Sequence, residues 1–251
     1  MSVRNLDAKG FIWFVGFVTN LEDEDKLGQV QIRIPVTHDD LNDDELPYAM
    51  MINPIQSSSL NGVGISPTGI EVGSMVVGFF ADGIEKNVPM ILGTIPKIPE
   101  NDPEKHDVNR LAREENIIQK TPVPATTPFK GEPETAYKAK YPHNKTVTTK
   151  SGHAVEIDDT PGQERIHIYH KSGTYSEINN KGRKVQKTVD DDFEVIIKDK
   201  EVYIGGKVNV FVKGDATLKI DGNFKTDIGG TCDITSDGTM TFVAPRIDLN
   251  P

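Results

Sequence analysis

Imidazoles, clustered carboxylates and a single thiol are the groups in this sequence that could do chemistry. His167 and His170 stand three apart in IHIYH, and imidazole is a good ligand for borderline transition metals. On a strand, however, residues i and i+3 point to opposite faces, so these two cannot chelate one ion within one chain. Only axial stacking of symmetry copies could gather one histidine type. Asp39, Asp40, Asp43, Asp44 and Glu45 crowd the loop HDDLNDDEL at 38–46. That loop lacks the alternating ligand spacing and the turn glycine of a calcium loop, and reads as solvated. Cys232 is the sole cysteine, which rules out an intrachain disulfide and leaves a small apolar residue facing inward. No phosphate-cradling glycine loop, CxxC pair or nucleophile elbow occurs. The chain is expected to carry no catalytic residue, no metal and no cofactor.

The elements that position these groups are strands, and the C-terminal ones repeat. Gly206, Gly214, Gly222, Gly230 and Gly238 fall eight residues apart, and Ile204, Val212, Ile220 and Ile228 each precede a glycine by two. Along 201–248 the even positions are mostly apolar, the odd ones mostly Lys, Asp, Asn and Thr. Such alternation turns one face of each strand inward, and an exact period marks one short unit stacked on itself. Glycine in each unit suits a reversal or a tight backbone contact. Burying about a dozen such side chains yields on the order of 20–35 kcal/mol, while ordering some fifty residues costs roughly 50–100 kcal/mol. Apolar burial inside one narrow chain does not win. The octads are therefore expected to wind around a shared axis in a homotrimer whose core is Val202, Ile204, Val210, Val212, Leu218, Ile220, Phe224, Ile228, Ile234 and Phe242. The beat fades at Ser236, Ala244 and Arg246, as a terminal unit does. That end, with Ile247, Leu249 and Asn250, is expected to seat a second protein.

Composition agrees with a thin particle. Only 36% of the 251 residues are hydrophobic, and the formal charge is −10. A trimer would carry about −30, which disfavours nucleic acid and anionic membrane as electrostatic partners. No signal-peptide pattern and no apolar run long enough to span a bilayer appears.

Three stretches divide the chain, and the expected fold is all-β. Residues 1–95 hold five strand-like runs (11–18, 28–36, 48–54, 73–82, 89–95) separated by turn signals, which suits a small closed barrel such as an OB-fold. Trp13 and Phe14 begin the first strand and read as barrel core or contact surface. A base-stacking platform needs a basic groove beside its aromatics, and none is present. Residues 96–142 contain half of the sixteen prolines and form an extended linker with one short helix, roughly 108–119. From His143 strands return and run into the octads, so 143–251 reads as one shaft.

The ordered words WFVGFV, KLGQVQIRI, LPYAMMINPIQSSSLNGVGISPTG, EVGSMVVGFFADG and ILGT, followed by YPHNKTVTTKSGHAVEIDDTPGQERIHIYHKSGTYSEI and the octads, resemble the central spike proteins of T-even-type contractile phage tails, the tail-associated lysozyme family. They are also similar to the VgrG spikes of type VI secretion. The resemblance covers about 11–95 and 141–248. It implies a homotrimer of OB domains under a ring-shaped hub protein, with a triple-stranded β-helix directed at the host outer membrane. It further implies a PAAR-type tip protein at the C-terminal end and a virion location after synthesis in the host cytoplasm. Secretion spikes carry hub domains ahead of the barrel, which favours a phage tail here over a type VI-like spike. The family's lysozyme domain lies between barrel and shaft, where this chain has only the linker. NRLAREENI (109–117) offers Glu114 or Glu115 as the catalytic acid of a degenerate tail lysozyme, but glycoside cleavage needs a second carboxylate across a cleft. The linker is too short and too rich in proline to build one. No lytic activity is expected. An OB-fold module binding oligonucleotide or glycan is the competing function of a different class, and the acidic charge opposes its oligonucleotide form.

Overall fold

A computed structural model describes residues 12–61, 63–96, 123–126 and 129–248. The expected helix at 108–119, with Glu114 and Glu115, and the residues Leu249 and Asn250 lie outside the described residues. Two compact units divide at Ile196/Ile197.

The first unit begins with a closed five-stranded barrel: β1 Ile12–Asn20, β2 Val30–Arg33, β3 Tyr48–Met51, β4 Met75–Phe80 and β5 Pro89–Ile95, in the order β1-β2-β3-β5-β4. All neighbours are antiparallel except β3 and β5, which pair in parallel. Alternation along β1 sends Phe14 and Val18 inward to meet Val30, Ile32, Ile34, Ala49, Val76, Phe80 and Ile91 in one apolar core. Trp13, on the opposite parity, lies outside, edge-on to Phe79. The barrel closes tightly at Gly78: a Cβ there would stand 2.1 Å from the Met90 carbonyl oxygen and 2.7 Å from the Phe14 ring.

Strands two to four are shorter than their apolar runs. After Arg33 the chain turns, because the Arg33 guanidinium donates to the carbonyls of His38 and Leu41 and to Asp43. His38 Nδ1 meanwhile accepts the Ile34 N–H at 3.2 Å. The loop carboxylates are engaged locally. Asp39 accepts the Val36 N–H and Glu45 accepts the Asn42 N–H. Among the described residues no group of three or more metal-ligating side chains gathers.

The same unit contains a five-stranded antiparallel meander: β6 Asn144–Thr148, β7 Ala154–Asp158, β8 Arg165–Tyr169, β9 Tyr175–Asn179 and β10 Lys184–Lys187. Its two turns at one end, TKSGH (149–153) and HKSGT (170–174), share a central KSG, with Thr and His exchanged at the ends.

The second unit, described to Asp248, is extended chain punctuated by bends at 205–206, 213–214, 221–222, 229–230 and 237–238, each ending on a repeat glycine. Bends at 189–190 and 197–198 keep the same beat. Structurally the octad therefore starts two units before its first glycine, with Asp190 and Lys198 in the glycine slot.

Candidate assembly surfaces

Register sorts the side chains of the meander into rows. Asn144, Asp158, Arg165 and Asn179 lie side by side, as do Thr146, Glu156, His167 and Glu177, and then Thr148, Ala154, Tyr169 and Tyr175. These rows share one face, and that face is the covered one: Glu156, Asp158, Arg165, His167, Tyr169 and Glu177 are all buried. The rows between them carry Val147, Val155 and Ile168, and Ile157, Ile166 and Ile178. These six aliphatics lie open, from 37% exposed at Ile178 to 71% at Val147. The sheet is inside out for a solitary chain.

What covers the charged face is the end of the linker. Glu177 accepts the Thr135 hydroxyl at 2.7 Å and the Ala136 N–H at 2.9 Å. Its other neighbour is Arg165, which also pairs with Glu156 and lies 4.9 Å from the Tyr137 ring centroid. His167 Nδ1 is 3.2 Å from Glu156, and the Asn144 amide donates to the same carboxylate at 3.0 Å. Further along, Glu132 accepts the Tyr175 hydroxyl at 2.7 Å, the Lys187 ammonium at 2.9 Å and the Val123 N–H at 2.9 Å. The Lys140 N–H donates to the Thr160 hydroxyl. Residues 132–142 thus form a strap tied down along its length, by carboxylates at Glu132 and Glu177 and by Thr160. Burial pushes the Glu156 carboxyl up, but the His167 hydrogen bond, the Arg165 charge and the Asn144 amide outweigh it and hold it below its ordinary value. Glu132 is likewise depressed, its desolvation offset by Tyr175, the Val123 amide and Lys187.

His167 and His170 occupy opposite faces of the meander: His167 is buried in the ionic cluster, and His170 is exposed. The cluster is missed by sequence reasoning because charge alternating with aliphatic residues conventionally assigns the charges to water. The signal that could have exposed it is the quartet of ionisable residues on the covered face: Glu156, Asp158, Arg165 and His167.

Within the second unit every described residue is exposed, including the aliphatics Val202, Ile204, Val210, Val212, Leu218, Ile220, Phe224, Ile228, Ile234 and Phe242. Among the described residues of 190–248, no backbone-to-backbone hydrogen bond joins one to another. None of the five repeat glycines has a left-handed φ, and a Cβ at any of them would meet nothing within 4 Å. The reversal that glycine suits is not made within this chain. Cys232 is exposed in the single chain, as is Ile247.

Comparison with known proteins accords with this architecture. The Gp5 N-terminal OB domain family matches residues 33–167, from the end of β2 through the linker into β8. Protein Gp5 of Vibrio phage KVP40 is 32% identical over 284 residues, spanning 87% of this chain and 67% of that protein. The pre-baseplate central spike protein Gp5 of Enterobacteria phage T4 is 38% identical over 100 residues, which are 37% of this chain and 17% of that protein. The family match takes in more than half of the sequence, and a relative sharing nearly a third of its residues aligns along most of it; the chain belongs to the Gp5 N-terminal OB domain family.

Proposed function

We propose that this chain is a structural, non-enzymatic central spike of a contractile phage tail, working as a homotrimer that pierces the host outer membrane when the sheath contracts. One observation carries the reading. Some fifty residues of extended chain expose their aliphatics on an eight-residue beat, and among the described residues of 190–248 no backbone-to-backbone hydrogen bond joins one to another. Backbone N–H and C=O groups in ordered structure find partners, and an open ribbon of this length is a template for other strands. Identical copies supply both needs at once. The open face of the meander supports the same assembly: half-burying its six aliphatics further would contribute about 5–10 kcal/mol per copy.

In this reading the barrel binds a ring-shaped hub protein, and the C-terminal end, with Ile247, Leu249 and Asn250, seats a PAAR-type tip. The octad glycines let neighbouring copies approach closely. Intertwined strands unfold slowly, which a needle under load requires. The particle belongs to the virion and is assembled from chains made in the host cytoplasm.

Sedimentation of the purified full chain tests this directly. A species of three times the 27.7 kDa chain mass is expected, without peptidoglycan-degrading activity in a zymogram. A monodisperse single-chain species at micromolar concentration overturns the assembly, and lytic activity overturns the non-enzymatic assignment.

A further inference from the structure

The eight-residue beat of 201–248 sets which face of each strand points inward, but it leaves the copies free to slide. Moving one copy along its neighbour by any whole number of octads restores the same rows of aliphatics and glycines. The apolar pattern cannot choose among those offsets, and strands whose register is weakly specified slip. Rotation about a shared axis makes the copies run in one direction. Residue i of one strand therefore faces residue i, i+8, i+16 or i+24 of the strand beside it.

The charged residues do choose. Lys207, Lys213, Lys219 and Lys225 stand six apart, and each has an aspartate eight residues on: Asp215, Asp221, Asp227 and Asp233. Asp199 precedes Lys207 by the same interval. All nine hold odd positions, on the parity opposite the aliphatics, and all are exposed. Lys219 Nζ lies 3.3 Å from Asp221 Oδ1, which puts two of these odd positions on one side of the strand. Opposite charges on neighbouring strands attract, and like charges repel. With zero offset every charge between 199 and 248 meets its own kind. A shift of one octad makes five opposite pairs in that span and no like pair. Two octads make two like pairs, Asp199 with Asp215 and Asp221 with Asp237, and no opposite one. Three octads make two opposite pairs, Glu201 with Lys225 and Lys213 with Asp237, against five at one octad.

We propose that neighbouring copies of this chain stack one octad out of step, locked by a ladder of Lys–Asp pairs between residue i of one copy and residue i+8 of the next. The ladder rests on the trimeric reading and specifies it further: three chains winding about one axis bring successive octads of successive copies onto each face. Exposed pairs are individually weak and screened by salt, which suits them to selecting a level and leaves cohesion to the aliphatics.

Cysteine cross-linking of the full chain, with Cys232→Ala throughout, tests the offset. Neighbouring strands lie about 4.8 Å apart, within the ~4.4–6.8 Å between Cα atoms that a disulfide spans. Mild oxidation of the variant carrying Lys219→Cys and Asp227→Cys should give covalent dimers and trimers on a non-reducing gel. Lys219→Cys alone, and Lys219→Cys with Thr235→Cys, should stay at the single-chain mass. Cross-linking by either of these, or none by the first variant while it sediments at the three-chain mass, overturns the offset and leaves the trimer standing. A one-chain mass for the unsubstituted protein overturns trimer and ladder together. Charge reversal asks the same question without cysteine. Asp227→Lys, broken once in every copy, should speed dissociation on dilution about tenfold, and adding Lys219→Asp should slow it again. Independent, multiplying effects of the two substitutions overturn the pairing.

Discussion

The barrel and the meander are both five-stranded, yet they sort their side chains in opposite ways. In the barrel, Phe14, Val18, Ile32, Val76 and Phe80 close on one another in an apolar interior. In the meander, Glu156, Arg165, His167 and Glu177 are buried beside Ala154, Tyr169 and Tyr175, and the aliphatics of the other face lie open. A sheet closed on itself has one interior to fill and no edge. An open sheet has two faces, and here the chain's own strap covers only the charged one. Burial within one chain therefore identifies what that chain finishes alone. What it leaves bare is the part that the proposed assembly assigns to other copies.

The largest effect should come from breaking that division at the octads. Ile220→Asp places a carboxylate at one level of the proposed shared core in every copy. Sedimentation should fall from the three-chain to the one-chain mass, while the Trp13 fluorescence of the barrel stays unchanged. Retention of the trimer would remove Ile220 from the core. Within the barrel the corresponding break is Gly78→Ala, because the new methyl would lie 2.1 Å from a backbone oxygen. Thermal unfolding of the barrel should shift down whatever the protein concentration, as a local steric fault does.

Next in size is the strap. Glu177→Ala leaves Arg165 with one carboxylate fewer and removes both hydrogen bonds that hold Thr135 and Ala136. Breaking a buried pair this way costs about 3–5 kcal/mol, read as faster proteolysis and faster amide exchange at 132–142. Acid should have a related but weaker effect. The Glu156 and Glu132 carboxyls are depressed in the folded chain, so their stabilisation is fully present above the ordinary value of 4.5 and is lost as pH falls through the folded values. Exchange at the strap should therefore quicken below about pH 4.5, before barrel amides respond. Simultaneous loss of both would argue that the strap is not separately held.

Much of the barrel is legible in the sequence because its strands are short, largely apolar runs such as FIWFVGFV and GSMVVGFFAD, with turn residues between. Strand ends are less so. Nothing in GQVQIRIPV announces that Arg33 will reach forward to two carbonyls, of His38 and Leu41, and end the strand early. The meander's strands are legible but not their orientation, since parity says that two faces differ and not which one the chain covers. The strap that decides it is a proline-rich segment joined to Glu177 across some forty positions. The shaft expected over 143–251 divides at Ile196/Ile197, where three consecutive aliphatics, Val195, Ile196 and Ile197, blur the parity. Before that point Phe193 and Val195 hold the odd positions; after it the even positions are apolar. A one-residue slip of this kind exchanges the two faces of a strand. The approach of the His153 and His170 rings, 4.5 Å between centroids, is invisible in the sequence because only the β7–β8 register brings them together.

The smallest effect is the most discriminating, because its sign decides between one chain and several. At Gly222 the backbone is not left-handed, and a Cβ would meet nothing of its own chain within 4 Å. Were the single chain the whole story, Gly222→Ala should stabilise by about 0.4–1 kcal/mol per copy, by reducing the freedom of the unfolded chain. Close approach of another copy's backbone reverses that sign, since the methyl then has no room. The expected outcome is a lower unfolding midpoint for the assembled protein, with faster dissociation on dilution. A rise in the midpoint would mean that the glycines mark turns in the chain and not contacts between chains.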